Sequence, residues 1–308
     1  MVAAKPVKKP FKVRLRTNLQ WYSFILPSIV CLALLYYAPL VQCIRFSLYK
    51  VNIVGFGEQF NGIKNYVALL SGKGFSKAVS NTFILTFWSL FVIPFGFLLA
   101  VALNSLGNGK LQSFFRVTYY LPNIITGVSV VLIMQYVFLK EGGLVNTAIA
   151  FFTGAPPMIG WLTDSAIARY TVSLMSIWGG LGYAMLINLA GLQSIPSEIY
   201  ESAGIDGANT VQRLVFITVP NMVTTFSFLL ITCVIGGFSR FTDLFILGGN
   251  SSAGKPGGSL QTILMYIYQF SFESPNYGLS AAGSMILFVM VLLVTLVNLR
   301  LTGFYRND

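Results

Sequence analysis

The chain alternates long apolar runs with shorter polar segments punctuated by glycine and proline. A helix crossing a bilayer needs ~20 predominantly apolar residues. That length predicts six spans, at about 21–44, 80–104, 118–139, 170–192, 220–239 and 279–301. The third carries Pro122 and Gly127, both of which weaken a helix. The pattern therefore predicts an all-α membrane protein. Between the spans, residues 50–79, 140–169 and 240–278 are polar-aromatic and rich in Gly, Pro and Asn, as in "GAPPMIGWLTD" and "GGNSSAGKPGGS". They read equally well as plain connectors or as a docking surface. No internal repeat or linker marks a second folded domain.

Composition agrees. Hydrophobic residues make up 55% of the 308 positions and charged ones 9%, against about 25% charged in soluble domains. The net charge of +11 does not point to nucleic acid. Six of the twenty basic residues (Lys5, Lys8, Lys9, Lys12, Arg14 and Arg16) form a run of the kind that anchors a juxtamembrane tail. Placing that run in the cytoplasm puts Lys110, Arg116, Arg213, Arg300 and Arg306 on the same side. Lys50, Lys64, Lys73, Lys77, Lys140, Arg169, Arg240 and Lys255 fall on the other, with Arg45 at the outer end of the first span. The first flank usually dominates orientation, so both termini are expected inside. The first apolar run is longer than a signal peptide's and lacks a small-residue cleavage site, so it is read as a retained helix.

The chain has no histidine, which excludes a Ser-His-Asp triad, a His-based zinc site and a histidine proton relay. Cys31, Cys43 and Cys233 lie in apolar runs without C-x-x-C spacing. Neither a catalytic group nor a metal site is indicated.

One polar stretch lies between two apolar spans on the cytoplasmic side: residues 196–220, containing "ESAGIDGANTVQRLVFITVP". "SIPSEIYESAG" starts like a helix, with Glu198 and Glu201 in its first turns, where acids complement the dipole. Ile195, Ile199 and Ala203 recur at i, i+4, i+8. Gly204, Asp206 and Gly207 then break the helix. Asn209 can cap a second helix with Gln212 as its reciprocal partner. Val211, Leu214, Val215 and Thr218 give that helix one face, and Pro220 marks the start of the next span. Such a helix–turn–helix could enter a groove on a partner or rest on lipid headgroups.

The pattern Glu201-Ser202-Ala203, three residues, Gly207, nine residues, Ile217-x-Val219-Pro220 resembles the EAA loop of bacterial ABC importer permeases, with Ser for Ala and Val for Leu. "LQSIPSEIYESAGIDGAN" resembles the carbohydrate-uptake branch. "WYSFILPSIVCLALLYYAPLVQCIRFSLY", "FFRVTYYLPNIITGVSV" and "GGSLQTILMYIYQFSF" are similar to the first of the two permeases of sugar importers, so the resemblance covers nearly all of 21–301. It implies a type I importer transmembrane domain in the bacterial inner membrane. Residues 1–20 would be a basic cytoplasmic tail, 21–76 the first helix and outer segment, and 77–302 the transmembrane domain proper. Implied partners are a second permease, a homodimer of cytoplasmic ATPases, a periplasmic or lipid-anchored binding protein, lipid and a sugar or oligosaccharide. ATP and magnesium would belong to the ATPase, leaving no cofactor and no enzymatic activity in this chain. The coupling residues implied are Glu198, Glu201, Ser202, Ala203, Asp206, Gly207, Ile217 and Pro220, with Glu201 meeting the ATPase.

"GNSSAGK" (249–255) matches the opening of a phosphate-binding P-loop, but Pro256 replaces the Ser or Thr that would hold magnesium. A secondary transporter or channel is the rival class. It normally carries intramembrane acids or histidines, and the spans hold almost none. For the solute, Trp178, Gly180, Tyr183 and Asn188 in the fourth span, and Cys233, Gly237 and Arg240 in or after the fifth, are the candidate contacts. Arg240 either snorkels to outer water or faces the pathway, where it would suit an acidic saccharide.

Overall fold

A computed structural model describes residues 11–51, 58–125, 127–155 and 157–301, with side chains from Trp21 to Arg300 within those stretches. Lys5, Lys8, Lys9 and Arg306 lie outside the described residues, as do the side chains of Lys12, Arg14 and Arg16.

In chain order, α1 (Trp21–Ser47) leads into a hairpin of β1 (Tyr49–Lys50) and β2 (Gln59–Phe60), then α2 (Lys64–Ser71) and α3 (Lys73–Asn104). Next come α4 (Gly109–Ile124), α5 (Gly127–Val137), α6 (Leu144–Thr153) and α7 (Ala168–Gln193). α8 (Ser197–Ile205) and α9 (Thr210–Arg213) form the polar stretch. α10 (Val223–Phe238) and α11 (Thr242–Leu247) make one apolar run, and α12 (Ile263–Tyr268) precedes α13 (Tyr277–Leu301). Among the described residues five helices are long and apolar enough to cross a membrane, and a sixth is counted if α4 and α5 are one span.

That third span departs from the expected straight helix over 118–139. It starts at Gly109, where the Asn108 side chain accepts from the amides of Lys110 and Leu111, and it breaks after Ile124 into two helices bent by 95°. Pro122 cannot donate to the helical ladder, and Ile125 is extended, so the chain turns there. α3 begins at Lys73 rather than near 80. Its first turns are polar on one face yet bury Phe75 and Ala78 on the other, which a count of apolar residues overlooks.

α7 is the hub, packed by α3, α4 and α10. Small residues let the backbones approach. A Cβ on Gly96 would lie 2.7 Å from that of Ala184, one on Gly182 2.1 Å from the Tyr119 carbonyl oxygen, and one on Gly237 2.5 Å from Thr86 Oγ1. Leu85, Val172, Leu244, Leu260 and Met265 fill the core near the start of α7. Ala100, Met185, Leu189, Leu192 and Met222 fill it near the end. α1 packs chiefly on α13 and is held at its base by Asn65, whose Nδ2 donates to the carbonyls of Ser47 and Tyr49, each at 2.9 Å. Elsewhere α1 exposes apolar side chains such as Phe24 and Tyr36, as a helix meeting lipid does.

Candidate functional site

The stretch after α7 folds as two short arms around a tight turn. α8 has Glu198 in its first turn and ends at Ile205. Gly207 takes the left-handed conformation at φ +78°. Around it the Ala208 amide donates to the Ala203 carbonyl (2.9 Å) and the Gly207 amide to that of Gly204 (3.2 Å). These two bonds are a Schellman closure, which satisfies carbonyls a helix end leaves open. The second arm begins with the expected capping box: the Gln212 amide donates to Asn209 Oδ1 at 2.9 Å, and the Asn209 amide to Gln212 Oε1 at 2.8 Å. α9 then widens into a π-turn over Leu214–Thr218 and continues through Val219–Asn221, so Pro220 lies inside the helical path rather than at its start.

Two contacts that sequence reasoning missed lock the arms together. Arg213 Nε donates to the Ala208 carbonyl at 2.9 Å, with its guanidinium over Gly204. The Tyr200 hydroxyl meets Thr218 Oγ1 at 3.0 Å. On charge distribution alone Arg213 is one of the cytoplasmic cations. Its spacing, four residues after an N-cap, was the available signal. Of the face expected on the second arm, Leu214 and Thr218 turn inward, whereas Val211 and Val215 are exposed.

The outward surface carries the chemistry. Glu198, Glu201, Ser202, Asp206, Gly207 and Pro220 are exposed, while Ala203 and Ile217 are half-buried. Neither of the two ion pairs among the described residues involves Glu198, Glu201 or Asp206. Ile205 beside the turn is 88% exposed, and Phe216 on the second arm is 74% exposed. A rigid turn with uncovered apolar side chains and unpaired carboxylates matches what an apolar groove with a basic rim would bind.

The solute candidates separate into two groups. Trp178 and Tyr183 are accessible, but five residues apart they point about 140° from each other around α7. The rest are packed. Asn188 is fully buried and donates to the Ala184 carbonyl at 2.9 Å, leaving Oδ1 without a partner. A Cβ on Gly180 would lie 3.3 Å from Val92, and Cys233 packs on the small core of Val92, Ala184 and Leu229. Gly237 is a close-packing position against Thr86. Arg240 is 11% exposed. It forms an ion pair with Asp243, with Nε donating to Oδ2 at 2.7 Å, and Nη2 donates to the Val172 carbonyl at 3.2 Å. Its guanidinium thus bridges the α10–α11 junction and α7.

The P-loop-like "GNSSAGK" folds as a closed loop. A Cβ on Gly254 would lie 2.0 Å from the Gln261 amide nitrogen, Ser252 donates from N and Oγ to the Glu273 carboxylate, and no helix starts before Ile263.

The family of binding-protein-dependent transport system inner membrane components matches residues 92–306. The arabinooligosaccharides transport system permease protein AraP of Bacillus subtilis is 30% identical over 289 residues, which cover 93% of this chain and 90% of the relative. The multiple sugar-binding transport system permease protein MsmF of Streptococcus mutans is 30% identical over 293 residues, covering 94% and 98%. One chain of a bacterial alginate ABC transporter, crystallised in complex with an alginate pentasaccharide-bound periplasmic protein, shares the fold. Its TM-score is 0.81 at 22% identity, over 97% of this chain and 99% of that one.

Proposed function

This chain belongs to the family of binding-protein-dependent transport system inner membrane components, and we propose that it is one of two permeases of an ATP-driven sugar or oligosaccharide importer. The relatives AraP and MsmF are named for sugar transport, which supports a saccharide as the solute. Six spans with both termini in the cytoplasm fit the charge distribution. The 26 residues of α7 extend about 39 Å, enough to put the 196–220 loop and the outer segments on opposite sides of the membrane. Residues 1–20, 21–76 and 77–302 then serve as tail, peripheral first helix and transport domain in the bacterial cytoplasmic membrane.

The geometry of the loop carries the reading. Glu198, Glu201, Ser202, Ala203, Asp206, Gly207, Ile217 and Pro220 form the coupling surface for one subunit of a cytoplasmic ATPase dimer, which binds ATP and magnesium. Glu201 pairs with a cation of that subunit, and the apolar residues around the turn enter its groove. Closing of the ATPases draws this loop toward its counterpart on the second permease and rocks the spans between inward-facing and outward-facing states. Trp178 and Tyr183, on different sides of α7, each offer a ring for a sugar face, and the one turned to the pathway serves there. Gly180, Asn188, Cys233 and Gly237 set the helix spacing, and Arg240 holds the outer helix junction. An extracytoplasmic binding protein delivers the solute.

The test is the assembled complex with Glu201→Lys. Stimulation of ATP hydrolysis by the loaded binding protein should fall, and the ATPase should co-purify less well. Wild-type stimulation and recovery would remove the loop from this role.

A further inference from the structure

At the end of the bundle opposite the coupling loop, a cavity of about 460 Å³ opens between the first turns of α3 and α7. Lys73, Lys77 and Arg169 converge on it from two helices. No carboxylate among the described residues pairs with any of them, because the two ion pairs are Arg45–Glu58 and Arg240–Asp243. The back wall is rigid. Lys77 Nζ donates to the Gly257 carbonyl at 2.6 Å and Arg169 Nε to that of Ser259 at 3.2 Å. Asn81 Nδ2 donates to the carbonyls of Gly258 (2.9 Å) and Gln261 (3.0 Å). Lys73 Nζ has no hydrogen-bond partner among the described residues and, like Lys77, is exposed.

Like charges gathered without a counter-ion repel each other and make a positive potential that draws an anionic partner. Outer acids do not relieve it: Glu58 is held by Arg45, Asp243 by Arg240 and Glu273 by Ser252, Asp164 accepts from the Ala166 amide, and neither Asp164 nor Glu141 forms an ion pair with the three cations. A small ligand is held by enclosure, with most of its surface buried. This bowl is shallow and its lysines stand on the rim, the arrangement that steers and aligns two proteins. On the reading of the chain as an importer permease, we propose that the Lys73–Lys77–Arg169 bowl receives an acidic projection, Asp or Glu side chains, of the extracytoplasmic solute-binding protein.

The experiment uses the assembled complex in nanodiscs and its own binding protein, with Kd and the half-saturating concentration for ATPase stimulation read at low and high salt. Lys73→Glu with Arg169→Glu should raise both by about tenfold or more, mainly through the association rate. The wild-type salt dependence should flatten, and hydrolysis without binding protein should stay unchanged. Lys73→Glu alone breaks no hydrogen bond, so it reads the effect if the double variant fails to assemble. Unchanged affinity in both variants overturns the proposal. So does lost sugar uptake at unchanged affinity, which would assign the bowl to the solute. A wild-type complex that no binding protein stimulates overturns the importer reading itself.

Discussion

Gly207 is the position where one atom's worth of change isolates the role of the loop. A Cβ there meets nothing within 4 Å, so a larger side chain causes no clash. What it meets is the backbone angle: at φ +78° an L-residue pays about 1–2 kcal/mol that glycine does not. One kcal/mol is a factor of about 5 in population and two about 30. Gly207→Ala should therefore hold the closed turn in roughly one-fifth of wild-type proportion or less, relative to open forms. Gly207→Asn should fall between the two, because asparagine tolerates this region. Gly207→Pro fixes φ near −65° and deletes the amide that bonds to Gly204, so it should abolish the turn. If the turn transmits ATP hydrolysis, stimulation by the loaded binding protein in purified complexes should rank Gly, Asn, Ala, Pro, with unstimulated hydrolysis by the ATPase nearly constant. Equal stimulation for Gly and Ala, or for Ala and Pro, would refute the reasoning, because the backbone angle would then not control coupling.

Gly182→Ala should lower the melting temperature of the purified protein, since its Cβ would meet the Tyr119 backbone at 2.1 Å; such overpacking costs about 1–3 kcal/mol. Gly179→Ala, three residues away on the same helix with open space around it, should melt at or slightly above wild type. Arg240→Gln strands Asp243 in a partly buried position and should destabilise by about 1–3 kcal/mol. Adding Asp243→Asn should recover most of the melting temperature and, if Arg240 acts only as a bridge, sugar uptake as well. Recovered stability with lost uptake would show that the guanidinium contacts solute.

The legible parts of the site were those written in local chemistry. Asn209 and Gln212 name their own capping box, Gly207 its own turn, and Glu198 the first turn of α8, all within a few residues of one another. Five of the spans were legible because lipid demands length and apolarity of each segment separately. Features set by contacts across the fold were not. Apolar periodicity cannot say that Leu214 turns to the inner core while Val211 stays exposed. Counting apolar residues could not find the polar beginning of α3, whose Phe75 and Ala78 are covered by distant segments. The bend after Pro122 was signalled by residue type but not in size. Arg240 looked destined for water or solute although Asp243, three residues on, stands at a spacing where opposite charges pair; its bond to the Val172 carbonyl, made across the fold, had no local signal.

α7 has one further consequence. It runs without a break from Ala168, beside the cationic bowl, to Gln193, one turn before the coupling arms. A continuous rod of this kind behaves as a lever. Tilting it by ten degrees about its middle moves each end by about 3 Å, in opposite senses. If the two ends serve as proposed, as coupling loop and docking bowl, then movement at one is movement at the other, a single displacement carried by one helix.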